Sequence, residues 1–189
     1  MRRKDLTILL SVVLVSSLFL SLVFIPDGAW AATKKEINAS VNVALQRFSK
    51  DIKGADEFLK ASKGTLVMAR VEQAGFIIGG KYGNGALRVG GKSVGYYNMA
   101  AGSAGLQIGV EQFNLILCFM DEAALKKFRA SKGWQAGLDG TVALVTLGAG
   151  GSLDTTKLKE PIVGFVFGQQ GLMAGVTLEG LKFTKINPK

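Results

Sequence analysis

The stretch from Gly83 to Tyr97, GNGALRVGGKSVGYY, decides which fold the chain can adopt. Within it, Ala86, four further residues and then Gly91-Lys92-Ser93 fit a relaxed form of the phosphate-binding loop of nucleotide hydrolases. That loop needs a helix directly after it, so that backbone N–H groups converge on the phosphates. The residues that follow are instead aromatic, β-prone and interrupted by Gly95. The stretch therefore predicts a β-hairpin that turns at Gly90-Gly91, and we expect no nucleotide or other cofactor.

Short β-prone runs separated by glycine continue from Thr65 towards the end of the chain. Glycines inside strands are typical of bulges, tight bends and close backbone approaches in small curved sheets and barrels. One helix is predicted among these runs, from Asp121 to about Ser131, with Leu125 and Phe128 facing inward.

The residues before Thr65 predict two helices. Thr33 and Glu36 have the spacing of a capping box, and an apolar stripe follows at helical spacing: Ile37, Val41, Ala44, Leu45, Phe48 and Ile52. Gly54 ends this helix, and a second, shorter helix is predicted from Ala55 to Lys63. The stripe favours packing against the domain core, and the alternative is a helix that lies on a membrane surface. The predicted fold class is α+β: N-terminal helices, then a glycine-rich, mainly antiparallel curved sheet or barrel-like domain with one further helix.

The start of the chain predicts export. A basic segment precedes an apolar run from Leu6 to Ile25, and Ala29-Trp30-Ala31 has the small-x-small pattern that signal peptidase recognises. We therefore predict a signal peptide at residues 1–31 and a single domain at residues 32–189. The expected location is the periplasm or outer envelope, peripheral to a membrane. Because the apolar run is also long enough to span a bilayer, an uncleaved anchor in the inner membrane remains the alternative.

The composition excludes several kinds of site. The chain contains no histidine, which rules out catalytic triads and general bases that depend on that residue. Cys118 is the single cysteine, so no internal disulfide or thiolate metal cluster can form. It lies in the apolar run LILCFM, which favours a buried structural thiol. Since no spacing of carboxylates singles out a catalytic pair, we expect no metal site and no enzyme.

The charge predicts an anionic partner. Residues 32–189 hold 20 of the 23 basic and 12 of the 14 acidic side chains, a net charge of +8. For an exported protein, anionic lipid head groups are a more plausible partner than nucleic acid, which we do not expect to bind. The alternative is that the charge only keeps a glycine-rich protein soluble.

Three glycine-rich segments resemble the signatures of the SYLF lipid-binding domain family in its bacterial exported form. They are GGKYGNGAL at residues 79–87, GYYNMAAGSAGLQIG at 95–109 and GFVFGQQGLMAGVTLEG at 164–180. The resemblance covers roughly Ala55 to Lys185 and implies an α+β domain that binds membrane lipids. It implies no catalytic residues.

The function predicted from charge and resemblance together is a non-enzymatic lipid- or membrane-binding protein of the bacterial envelope. The candidate contacts with anionic head groups lie on the hairpin and on the last predicted helix: Lys81, Tyr82, Arg88, Lys92, Lys126, Lys127, Arg129 and Lys132. The alternative is a structural envelope protein that associates with itself through β edges and has no specific lipid ligand. The lipid, the physiological role and the formation of a homo-oligomer stay open at this stage.

Overall fold

A computed structural model describes residues 32–148, 151–153, 159–171, 178 and 180–189, with the backbone alone for 75–78 and 103–109. The predicted signal peptide and part of the last glycine-rich segment, residues 172–177 and 179, lie outside these ranges. Within them, no helix combines the length and the apolar character needed to cross a membrane.

The two N-terminal helices form as predicted. Helix α1 spans Lys34–Asp51 and helix α2 spans Ala55–Ala61. The capping box is present, since the Glu36 N–H donates to Thr33 Oγ1 at 3.2 Å and the Thr33 N–H donates to Glu36 Oε2 at 2.8 Å. Gly54 separates the helices with a left-handed φ of 89°, a conformation that glycine adopts without strain. Helix α2 ends two residues earlier than the sequence predicted.

The predicted hairpin is the centre of the fold. Strand β1 spans Gly64–Val89, strand β2 spans Lys92–Phe119, and the two pair antiparallel along their length. The connection is Gly90-Gly91, with φ values of 57° and 77°, as a tight two-residue hairpin turn requires. Because a strand and not a helix follows the turn, the context of a phosphate-binding loop is absent.

Among the described residues, four shorter strands extend the sheet: β3 (Gly133–Gln135), β4 (Ala143–Leu147), β5 (Ile162–Gln170) and β6 (Lys182–Ile186). The order is β3-β6-β2-β5-β4, with β1 on the other edge of β2. All described pairings are antiparallel except β4 with β5. Helix α3 spans Glu122–Ala130, with Asp121 and Ser131 as its caps. The predicted fold class is confirmed, since the helices precede a curled, mostly antiparallel sheet that one further helix interrupts.

The β1–β2 ribbon curls until β1 meets itself. In a straight strand, Val67 and Gly85 would be about 60 Å apart. In the structure, a Cβ atom on Gly85 would overlap the carbonyl oxygen of Val67 and lie 2.6 Å from Met68 Sδ. A Cβ atom on Gly83 would lie 3.0 Å from a methyl group of Val71. Glycine at these two positions therefore allows the ribbon to close into a half-barrel.

The curled sheet is buried on both faces, because alternate side chains point to opposite sides. Leu66 and Met68 belong to an inner core that α3 closes, whereas Val67 and Ala69 belong to an outer core that α1 and α2 cover. Phe128 holds α3 in place, because the centroid of its ring lies 4.9 Å from the ring centroids of Tyr97 and Phe119. Its ring also contacts those of Trp134 and Phe183. The apolar stripe of α1 packs on the sheet as expected, through Ile37, Val41, Ala44 and Phe48.

Cys118 is a buried structural thiol, as the sequence predicted. Burial raises the pKa of the thiol to about 12, and a hydrogen bond with Thr65 lowers it in part. The side chain is therefore protonated at physiological pH, as is typical of a structural thiol.

If close packing at Gly85 determines the curl, Gly85→Ala should reduce the free energy of unfolding by about 3 kcal/mol or more, because neither the backbone nor Met68 can move away without cost. Gly102→Ala is the matched control, since a Cβ atom there meets nothing within 4 Å. Chemical denaturation of both variants checks this. Equal stability of the two variants would contradict the proposed origin of the curl.

Candidate lipid-binding groove

A groove of about 740 Å³ lies between α3 and the β1–β2 hairpin. We call it the basic groove, because four cations line it: Lys63, Lys126, Arg129 and Lys185. Glu122 is the single acidic residue among the described residues of its lining. Its size falls within the roughly 300–1,000 Å³ that is usual for small-molecule sites.

The floor of the groove is apolar. It is formed by side chains from both arms of the hairpin and from α3: Val89, Val94, Tyr97, Ala123, Leu125 and Ala130. Val94 is 42% exposed, while Tyr97 and Leu125 are buried. The groove thus presents apolar surface next to positive charge.

Helix geometry explains why Lys126 and Arg129 reach the groove together. They are three residues apart and lie on one face of α3, while Leu125 and Phe128 turn into the inner core.

Arg129 also affects the groove floor electrostatically. Burial raises the pKa of the Tyr97 phenol, and the positive charge of Arg129 opposes part of that shift. Tyr97 therefore stays neutral at physiological pH.

The other predicted contacts on α3 lie outside the lining of the groove. Lys127 is exposed, but its Nζ donates a hydrogen bond to the carbonyl oxygen of Asp139. Lys132 is exposed beyond the end of the helix. The structure thus divides the four predicted cations of this region into two that line the groove and two that do not.

Arg88 connects the hairpin to α1. Its guanidinium group donates to Gly91 O at 3.0 Å and to Asn42 Oδ1 at 2.7 Å. Asn38 strengthens the connection, because its Oδ1 accepts from Ser93 at 2.6 Å and its Nδ2 donates to Tyr96 at 2.8 Å. These bonds give Arg88 a structural role that its charge in the sequence did not indicate.

The remaining candidates on the hairpin lie in different surroundings. Lys81 is only 7% exposed, and burial lowers the pKa of its ammonium group while the charge of Glu111 raises it in part. Tyr82 is 55% exposed, and its hydroxyl donates to Asn84 Oδ1 at 3.3 Å. Lys92 is exposed at the hairpin turn and does not line the groove.

Sequence reasoning missed two of the four cations. Lys63 precedes β1 and Lys185 lies in β6, and both join Lys126 and Arg129 only through the sheet pairing. No local pattern marks either residue.

Across the described ranges, no group of histidine, cysteine or carboxylate residues could hold a metal ion.

The comparison with protein families supports the resemblance noted in the sequence. Residues 100–187 match the family model described as Ysc84, Las17-binding protein actin regulator. This match agrees with the SYLF resemblance that the sequence predicts. The SYLF match includes most of β2, all of α3 and the strands up to β6, and therefore three cation positions of the basic groove. The first glycine-rich segment precedes it, so the resemblance there stays a prediction. No curated protein matches the chain.

Proposed function

We propose that the protein is a non-enzymatic lipid-binding protein of the bacterial envelope, and that it holds anionic head groups in the basic groove. The observation that carries the proposal is the combination of an apolar floor with four cations in one groove. The SYLF segment supports a binding domain of the kind related to lipids or actin.

The chemistry of the groove matches an anionic amphiphile. Apolar side chains at the floor, such as Val94 and Leu125, offer contact to a hydrocarbon chain. The guanidinium group of Arg129 suits a phosphate, because its planar fork donates two parallel hydrogen bonds to neighbouring oxygens. The lysines add charge without fixing geometry, since an ammonium group acts as a compact point charge.

Vesicle flotation tests this proposal. A groove variant carries Lys63→Gln, Lys126→Gln, Arg129→Gln and Lys185→Gln, and a control variant carries Lys34→Gln, Lys35→Gln, Lys50→Gln and Lys53→Gln, all exposed and outside this groove. Both lose four charges, so general electrostatic attraction falls equally. We expect the groove variant to bind phosphatidylglycerol vesicles at least about 100-fold more weakly than the wild type, since each cation contributes about 1 kcal/mol near an anionic surface. The control variant should lose clearly less affinity, because its four lysines lie outside the groove and away from a bound head group.

Wild-type protein should bind pure phosphatidylcholine vesicles weakly, and added salt should weaken binding to the anionic vesicles, because screening acts within about 8 Å at physiological ionic strength. Equal losses in the two variants would show that the groove has no special role. Absence of binding to every vesicle would favour the alternative, a self-associating structural envelope protein.

The envelope location is a separate part of the proposal. It is supported by the basic start, the apolar run and Ala29-Trp30-Ala31. N-terminal sequencing of the protein from fractionated cells should begin at Ala32, within one residue. A stable product that retains Met1 in the membrane fraction would establish the anchored alternative.

A further inference from the structure

A second groove, of about 480 Å³, lies where α1 covers the sheet. We call it the arginine groove, because Arg47 of α1 and Arg70 of β1 both line it. Half of its other lining is uncharged and polar, from Ser40, Gln112, Asn114 and Gln170. None of the described residues in this lining is acidic, so the groove is positive and rich in hydrogen-bond donors.

The backbone of Arg70 is held in an unusual conformation. With φ at 55°, it is the one non-glycine residue in the described ranges with a positive φ. It lies in a bulge, because the β1–β2 register passes from Met68 opposite Leu115 to Val71 opposite Phe113. Left-handed backbone is unfavourable for an L-residue with a long side chain, so other contacts must hold it.

Asn114 supplies those contacts from the neighbouring strand. It is only 7% exposed, and its Oδ1 accepts the backbone N–H of Arg70 at 3.1 Å. Its Nδ2 donates to the carbonyl oxygen of Phe167 in β5 at 3.5 Å. The β2–β5 register also shifts between Gln112 and Asn114. The buried side chain of Asn114 therefore connects the register shift between β1 and β2 with the one between β2 and β5. It also holds the backbone of Arg70 at the bulge.

The guanidinium groups of Arg47 and Arg70 form no polar contacts of their own with the described part of the chain. Arg47 and Arg70 are both exposed, and no ion pair or side-chain hydrogen bond of either is formed with a described residue. Arg88, in contrast, uses its guanidinium group to connect β1 with α1. The guanidinium groups of Arg47 and Arg70 are thus both available to a ligand in the arginine groove.

We propose that the arginine groove is a binding site for a phosphate group, separate from the basic groove. Two guanidinium groups offer more donors than the two oxygens of a carboxylate can accept, whereas a phosphate monoester presents three acceptor oxygens. Ser40 and the amides of Gln112 and Gln170 can donate to the same oxygens. The phosphate comes either from a soluble ester or from a lipid head group, which share this chemistry. The inference does not rest on the proposed function.

Calorimetric titration with inorganic phosphate and with glycerol 3-phosphate tests the site on the intact protein. We expect saturable binding with a dissociation constant of about 1 mM or below. Arg70→Gly removes the side chain while it tolerates the left-handed backbone, and it should weaken binding at least about tenfold with no loss of thermal stability. Arg47→Gln should weaken binding similarly.

Lys50→Gln is the control, because it removes one exposed charge from the same helix outside the groove. Absence of saturable binding, or equal weakening by Lys50→Gln and Arg70→Gly, would overturn the proposal. Vesicles that contain phosphatidic acid distinguish the two sources: weaker binding of Arg70→Gly to them as well assigns a head group, and weakening with the soluble phosphates alone assigns a free ester.

Discussion

The close approach of Gly85 to the carbonyl oxygen of Val67 is the constraint on which the rest of the structure depends. Two strands of 26 and 28 residues would otherwise form a ribbon about 90 Å long, exposed on both faces. The curl turns one face into an inner core and leaves the other as a surface that α1 and α2 can cover. The close packing at Gly85, together with that at Gly83, thus allows a small domain to bury both sides of its sheet.

The same curl builds the basic groove. The hairpin turn comes to lie beside α3, whose position is fixed by Phe128 in the inner core. Strand β6 pairs with the part of β2 that follows the turn and brings Lys185 to the groove. Cations from three separate parts of the chain, the residue before β1, helix α3 and strand β6, therefore surround an apolar floor that β1, β2 and α3 form together. The arginine groove, in contrast, depends on a bulge near the start of the ribbon and on α1.

Local signals in the sequence predicted much of the fold. Thr33 with Glu36, Gly54 and the Gly90-Gly91 pair each determine the structure of their own neighbourhood, so the helices and the hairpin could be identified. The parallel pairing of β4 with β5 could not, because it depends on residues distant in the sequence. Lys63 and Lys185 were missed for that reason. Arg88 was predicted as a head-group contact, and its bond to α1 was not foreseen because its partners there have no sequence signature.

We propose that the basic groove selects an anionic amphiphile by charge and by apolar contact together. The most direct measurement is an NMR titration of methyl-labelled protein with dihexanoyl phosphatidylglycerol, compared with dihexanoyl phosphatidylcholine, both below their micelle concentrations. We expect saturable shifts of the Val89, Val94 and Leu125 methyl groups with the anionic lipid and much smaller shifts with the zwitterionic one. Equal shifts with both lipids, or shifts that leave these three residues unaffected, would contradict it.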